Sequence, residues 1–185
     1  MRATQRLTAR HGALLVVDLQ EKLVPAVADG PRVVANVSRL VRGARLLGVP
    51  AQATEQYPEK LGPTVATIAE LLPERASKTA FACCASTEVM EQLYGRQARH
   101  VALAGVEAHV CVAQTALDLL DLGFRVQVVA DAVASRDPID RDVSLRRLEA
   151  AGAVITTTEA VLFEWCETAD RPEFKALSAL VKERT

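Results

Sequence analysis

The sequence predicts an α/β fold, namely a three-layer α/β/α sandwich with a central, mostly parallel sheet of about six strands. Short apolar runs alternate along the chain with longer segments in which apolar residues recur every three or four positions. This is the pattern of strands that are followed by amphipathic helices. The runs are apolar almost throughout, as expected of strands covered on both faces and joined by right-handed crossovers.

Each element can be placed in order from its spacing. Five runs have the length and composition of buried strands: 13–17, 50–54, 100–104, 125–130 and 153–155. Helical spacing marks 33–47, 86–94, 110–122 and 141–151, and two short helices are expected within 158–182. Glycines follow the helices where a left-handed residue commonly ends them: Gly48, Gly95, Gly123 and Gly152. The stretch 56–64 is predicted to be an ordered surface loop.

Length and charge limit the classes of function. The 185 residues, 1–185, are predicted to form a single domain, because this length suffices to close one hydrophobic core. The formal net charge is −1, which gives no electrostatic basis for a nucleic-acid or membrane partner. We therefore expect a small-molecule substrate. The first ten residues contain no sustained apolar run, so no signal peptide is predicted and a cytoplasmic location is expected.

The four cysteines and three histidines show no spacing typical of a metal site. We expect neither a metal nor another cofactor, and we expect free thiols rather than disulfides. Cys83, Cys84 and Cys166 are interpreted as structural, because they lack both the strand-to-helix context and a neighbouring charge.

Three reactive residues lie where predicted strands end, which is where ligands bind in open α/β sheets. Asp18 ends the run ALLVVD, Lys78 lies in ERASKTAF on a candidate edge strand, and Cys111 opens a helix after HVALAGVEAHV. The positive end of a helix dipole favours a thiolate at such a cysteine, and a nearby lysine would add to this effect. Structural alternatives are a buried small side chain for Cys111, a helix N-cap for Asp18 and a solvated Lys78.

Other polar residues are expected near the same edge. His109 precedes Cys111 by two residues, which is too close for a cysteine–histidine pair with suitable geometry. Asp131 is interpreted as a turn-forming residue that ends the strand 125–130. Together with Ser135 and Arg136, it could shape the rim of the site.

Four segments in this order and spacing resemble the isochorismatase-like cysteine hydrolase family: VVDLQ at 16–20, TEQYPEKLGPTV at 54–65, KTAF at 78–81 and GVEAHVCV at 105–112. The second segment and the C-terminal EFKALSALVKE resemble the subgroup of isochorismatase domain-containing proteins. The resemblance covers nearly the whole chain. It implies a three-layer sandwich and a catalytic triad of Asp18, Lys78 and Cys111.

The resemblance also implies the surroundings of the triad. A cis peptide bond is expected between Val106 and Glu107, with the backbone N–H groups of Glu107 and Cys111 forming an oxyanion hole. Asp18 would accept the thiol proton, Lys78 would stabilise the thiolate, and Cys111 would attack a carbonyl carbon. The expected substrate-binding residues are Gln20, Leu23, Gln56, Tyr57 and Phe81.

Departures from the family narrow the expected reaction. Nicotinamidase relatives have a metal-binding Asp-x-His where this chain has Glu55, Gln56 and Tyr57, so that metal site is not expected. Cys111 favours hydrolysis of an amide or related C–N bond. Two alternatives stay open: a vinyl-ether hydrolase of the isochorismatase type, and a non-catalytic protein that uses Cys111 for redox sensing or binding. The resemblance also implies a homo-oligomer, at least a dimer.

Overall fold

The central element of the computed structural model, which describes residues 6–183, is a six-stranded sheet in the order β3-β2-β1-β4-β5-β6. Every pair of neighbouring strands is parallel. The strands are β1 (Gly12–Val17), β2 (Ala51–Gln56), β3 (Arg75–Lys78), β4 (His100–Val106), β5 (Arg125–Ala134) and β6 (Val154–Thr156). The predicted α/β/α sandwich around a parallel sheet is therefore confirmed.

Helices connect the strands and cover both faces of the sheet. They are α1 (Gly30–Leu47), α2 (Pro58–Leu61), α3 (Ala66–Ala69), α4 (Thr87–Gly95), α5 (Ala113–Asp121), α6 (Pro138–Ala151), α7 (Thr158–Cys166) and α8 (Phe174–Val181). A π-helical turn, Ala108–Val112, leads from β4 into α5. Within residues 6–183, no helix is long and apolar enough to cross a membrane.

The alternation of side chains along β1 divides the core into two halves. Leu14 and Val16 are buried with the side chains of α1, α7 and α8. Leu15 and Val17 point to the opposite face and are buried with α4, α5 and α6. Successive strand side chains point to opposite faces, so a run without polar residues must be covered on both sides.

Two local predictions were wrong. β5 continues to Ala134, so Asp131 lies inside the strand, where its Oδ1 accepts hydrogen bonds from the backbone N–H (2.8 Å) and Oγ1 (3.0 Å) of Thr158. Asp131 thus anchors the start of α7 rather than forming a turn. Gly95 is the last residue of α4, and Gln97 has the positive φ of 53° that was expected at the glycine.

The strand order reverses between β1 and β4, which lie side by side although β2 and β3 come between them in the chain. Such a reversal opens a crevice beyond the carboxyl ends of the strands, because the two connections leave in opposite directions. Asp18 follows β1 and the π-helical turn with Cys111 follows β4, so both lie at this crevice.

Candidate active site

Asp18 is the first residue beyond β1 and is fully buried. Its φ of 51° is unusual for a residue other than glycine, and it turns the chain at the end of the strand. The Oδ1 atom accepts a hydrogen bond from Thr54 Oγ1 at 2.7 Å, and Oδ2 accepts one from Lys78 Nζ at 2.7 Å. The structure therefore places Asp18 as a partnered buried carboxylate rather than as the cap of a helix.

Lys78 ends β3 and extends its ammonium group across the end of β2. Its side chain is 2% exposed. Besides Asp18, its Nζ donates to Gln56 Oε1 at 2.7 Å and to the Phe81 carbonyl at 3.1 Å. Removing one member of such a pair would leave an unpaired buried charge, which typically costs about 3–5 kcal/mol.

Cys111 is linked to this pair through a side chain at the end of β2. Gln56 Oε1 lies 4.0 Å from Cys111 Sγ and accepts the hydrogen bond from Lys78, while Gln56 Nε2 donates to the Thr79 carbonyl at 2.7 Å. The thiol, the amide, the ammonium and the carboxylate thus form one hydrogen-bonded cluster over the ends of adjacent strands. Gln56, predicted to bind substrate, connects Cys111 to Lys78, which in turn bonds Asp18.

The backbone before Cys111 is bent close to the end of β1. The Val106–Glu107 peptide bond is cis, and Gly105 has a φ of 119°. A Cβ atom on Gly105 would lie 2.0 Å from the Val17 carbonyl oxygen, so only glycine allows the two strands this approach. The Glu107 carboxylate accepts hydrogen bonds from the backbone N–H (2.9 Å) and Nε (3.1 Å) of Arg136, which holds this bend from the far side.

Cys111 is expected to be a thiolate from its position at the start of a helix, but its surroundings in the structure favour the protonated thiol. Burial and the negative charge of Asp18 raise the pKa of the Cys111 thiol above its ordinary value, and the opposing effect of Lys78 is smaller. At neutral pH the resting group is therefore a thiol. The dipole argument failed because it took no account of desolvation, which disfavours the charged form.

Cys83 lies beside the same cluster, although its sequence context gave no neighbouring charge. Its Sγ is 3.5 Å from Thr54 Oγ1, the group that donates to Asp18. Burial and the charge of Asp18 raise the pKa of this thiol as well. Thr54 and Cys83 were not recognised as part of the site. The sequence holds no separate signal for them, because Thr54 is one of several polar residues in β2 and Cys83 follows no apolar run.

His109 forms contacts away from the reactive cluster. Its Nδ1 lies 2.9 Å from Ser135 Oγ, and its Nε2 lies 3.7 Å from a carboxylate oxygen of Asp140 on α6. The imidazole is thus held by the chain that follows β5, in agreement with the absence of a cysteine–histidine pair.

The remaining predicted substrate-binding residues differ in accessibility. Gln20 is fully buried, and its amide bonds the backbone of Gln56 in both directions (3.0 and 2.8 Å) and the Gly62 carbonyl at 2.7 Å. Gln20 therefore anchors the loop after β2 and has no accessible surface with which to contact a substrate. Tyr57 (45% exposed) and Phe81 (52%) remain accessible, and Leu23 is half-buried against the core.

The residues at the position of the nicotinamidase metal site are bonded to the protein. Glu55 Oε1 accepts hydrogen bonds from the backbone and hydroxyl of Thr64 and from Arg75 Nε, at 2.7 to 2.9 Å. Burial opposes ionisation of Glu55, but these contacts outweigh it and lower its pKa. Within the described residues, no group of three or more histidine, cysteine or acidic side chains could hold a metal ion.

Comparison with known proteins agrees with the fold and shows the family. Residues 12–160 match the Isochorismatase domain family. The isochorismatase domain-containing protein 2A of Mus musculus is 40% identical over 179 residues, which are 96% of this chain and 86% of the mouse protein. The chain therefore belongs to the isochorismatase domain family.

Solved structures resemble this one over almost its whole length. The MAR1 ribonuclease from Caenorhabditis elegans has a TM-score of 0.91 and 40% identity, covering 96% of this chain and 93% of that one. YcaC from Pseudomonas aeruginosa, solved with hexane-2,5-diol and covalent acrylamide, has a TM-score of 0.89 and 28% identity, covering 97% and 93%. YcaC from Escherichia coli, an octameric hydrolase of unknown specificity, has a TM-score of 0.90 and 26% identity, covering 97% and 91%.

Proposed function

We propose that this member of the isochorismatase family is a cysteine hydrolase that cleaves a small-molecule amide or a related C–N bond. The observation that supports this proposal most strongly is the cluster of Cys111, Lys78 and Asp18 at the carboxyl ends of neighbouring strands. It combines a nucleophile, a cation and a base in one buried site.

In the proposed mechanism, Asp18 accepts the thiol proton as Cys111 Sγ attacks the carbonyl carbon. The backbone N–H groups of Glu107 and Cys111 donate to the resulting oxyanion, and Lys78 offsets the developing negative charge. Asp18 then returns the proton to the leaving nitrogen as the C–N bond breaks, which leaves a thioester on Cys111. Water, deprotonated by Asp18, attacks the thioester and releases the acid and the free thiol.

The raised pKa of Cys111 is compatible with this sequence of steps. A buried thiol beside a carboxylate stays protonated until the proton has an acceptor and the new negative charge has a partner. Both conditions are met when a carbonyl group lies above the sulfur. The covalent acrylamide in the P. aeruginosa relative supports a reactive group in this fold.

Exposed aromatic side chains and a cavity near the cluster support a small-molecule substrate. Tyr57 and Phe81 offer exposed aromatic surface, and a cavity of about 320 Å³ is lined by Tyr57, Lys78 and residues beside them in the chain. This volume is at the lower end of small-molecule sites, which span about 300–1,000 Å³. We propose that the reaction needs no metal, because the polar groups of Glu55 and Gln56 already bond protein groups.

The decisive experiment is turnover of a panel of small primary amides by wild type, Cys111→Ser and Cys111→Ala, followed by ammonia release. We expect both variants to lose activity by at least about 10³-fold, since no covalent intermediate can form efficiently. Intact-mass spectrometry should detect an acyl adduct in wild type alone. Full activity in Cys111→Ala would contradict the proposal.

The same variants separate the alternatives. A vinyl-ether hydrolase of the isochorismatase type would retain much of its activity in Cys111→Ala. A redox-sensing protein would show reversible oxidation of Cys111 by peroxide without turnover of any amide. A ribonuclease, as the C. elegans relative is named, would cleave RNA, for which the net charge of −1 gives no electrostatic support.

A further inference from the structure

A second cavity lies at the opposite end of the sheet from the candidate active site. It measures about 540 Å³ and is bordered by the amino ends of three adjacent strands, β1, β4 and β5. The reactive cluster lies beyond the carboxyl ends of the same strands. A molecule in this cavity would therefore be separated from Cys111 by the length of the strands.

The cavity is lined by basic residues because neighbouring strands begin with them. His11 precedes β1, Arg99 precedes β4, which begins at His100, and Arg125 begins β5. The register places these starts side by side, with the Arg99 N–H donating to the His11 carbonyl and the Arg125 N–H to the Arg99 carbonyl. Arg6 adds a third guanidinium group. Within residues 6–183, no acidic side chain belongs to this lining.

The two histidines contain polar atoms that lack a partner. The Nδ1 atoms of His11 and His100 are buried and have no hydrogen-bond partner among the described residues. His100 is 7% exposed, and burial together with the charge of Arg125 lowers its pKa. An unpartnered buried ring nitrogen is unfavourable, and most such groups in native proteins are bonded to protein, water or a ligand. The charge of Glu164, which accepts a hydrogen bond from the Leu7 N–H at 2.6 Å, opposes the lowering of the His100 pKa.

One wall of the cavity is apolar and aromatic. Tyr94 and Phe124 lie with their ring centroids 5.7 Å apart, and Leu122 lies beside them in the lining. Tyr94 is 57% exposed and Leu122 is 50% exposed. A wall of this kind favours a flat ring, whereas guanidinium and imidazole groups favour the several oxygens of a phosphate.

We propose that this cavity binds a small organic phosphate whose body is a planar ring, with Arg99 and Arg125 holding the phosphate and Tyr94 contacting the ring. The volume falls within the usual range for small-molecule sites, about 300–1,000 Å³. The site is distinct from the reactive cluster and does not depend on the function proposed for it.

Isothermal titration calorimetry of the full chain with adenosine monophosphate tests this proposal, with adenosine and inorganic phosphate as matched probes. We expect saturable binding of the monophosphate and at least tenfold weaker binding of either part alone. Arg99→Gln and Arg125→Gln should each weaken binding by about tenfold or more, and Tyr94→Ala by a smaller factor. Binding should also weaken as the salt concentration rises.

Arg146→Gln, which removes an exposed arginine on α6, serves as the control and should leave the affinity unchanged. Three outcomes would overturn the proposal. The first is no saturable binding at millimolar monophosphate, and the second is equal affinity in Arg99→Gln, Arg125→Gln and wild type. The third is a change of oligomeric state in the arginine variants without any ligand, which would assign this surface to contact with another chain.

Discussion

The Cys111 thiol lies beside two opposite charges, and these charges act on its pKa in opposite directions. Burial raises the pKa of the thiol most, the charge of Asp18 raises this pKa further, and the charge of Lys78 lowers it. Because a higher pKa means less thiolate at a given pH, wild-type Cys111 should react with iodoacetamide more slowly than a free thiol at neutral pH.

The two charges can be separated by mutation. In Asp18→Asn, the alkylation midpoint of Cys111 should move to lower pH, because a carboxylate that disfavours the thiolate is gone. In Lys78→Met the midpoint should move to higher pH. Each of the two shifts should be about 1–3 pH units. Peptide-level mass spectrometry across a pH series measures both shifts. It also separates Cys84, whose pKa burial raises to about 12.

Asp121→Asn, which changes an exposed carboxylate at the end of α5, should leave the midpoint unchanged. A midpoint that moves in the same direction in Asp18→Asn and Lys78→Met would contradict the arrangement of charges described here.

Sequence reasoning at this scale was limited by contacts between distant residues. The positions of Asp18 and Cys111 at strand ends could be read from the chain, because each follows an apolar run, whereas Lys78 was singled out by the family resemblance. The bonds that Gln20 makes to the backbone of Gln56 could not, since they depend on how the loop after β2 folds back. The surroundings of Cys83 were missed for the same reason.

At the scale of elements, the contact between β1 and β4 determines the geometry of the crevice. A side chain on Gly105 would meet the Val17 carbonyl oxygen at 2.0 Å, in a backbone conformation that side chains rarely adopt. Gly105→Ala should therefore lower the free energy of unfolding by about 3 kcal/mol or more. In a chain of this length, that corresponds to a decrease of roughly 6–12 °C in Tm.

Gly95→Ala is the matched control, because nothing lies within 4 Å of the added Cβ. This change at the end of α4 should leave the free energy of unfolding the same or raise it by about 0.4–1 kcal/mol, so Tm should stay the same or rise slightly. Differential scanning calorimetry of both variants measures the contrast. Equal Tm values for the two variants would mean that β1 and β4 can separate at little cost.

The elements themselves were predicted well wherever periodicity was strong. β1 and α1 lie within a few residues of the expected ranges, because an apolar run or a 3.6-residue repeat extends through each of them. The extension of β5 to Ala134 was missed, since Asp131 resembles a chain-turning residue until its bond to α7 is known. The short helices α2 and α3 contain too few residues to show a repeat.

At the scale of the whole molecule, α6 exposes an apolar strip that favours association between chains. Ile139 and Val143 are separated by one helical turn and are 58% and 47% exposed. Exposed apolar patches of this kind commonly lie in protein interfaces. YcaC from Escherichia coli, which shares the fold, is octameric, and a homo-oligomer of this chain stays a prediction.

Val143→Arg should lower the mass in solution by placing a charge in this contact. Light scattering at micromolar concentration should give a multiple of 19.9 kDa for wild type and a smaller mass for the variant. Ala176→Arg, which adds the same charge at an exposed position of α8, should leave the mass unchanged. A monomeric wild-type chain would refute the prediction of an oligomer.

Beyond the ends of β1, β2, β3 and β4, the residues that carry the reactive groups tolerate less substitution than the connections that surround them. The reactive groups are attached to strands whose positions the whole sheet fixes, whereas Tyr57 and Phe81 belong to the connections that follow those strands. The backbone of the connection after β3 accepts hydrogen bonds from Gln56 and Lys78, so replacing the side chains of Tyr57 and Phe81 while keeping this backbone should change contacts with a substrate and keep the reactive cluster intact. For enzyme engineering, the strands should be left unchanged, and the side chains of the two connections are the positions to vary.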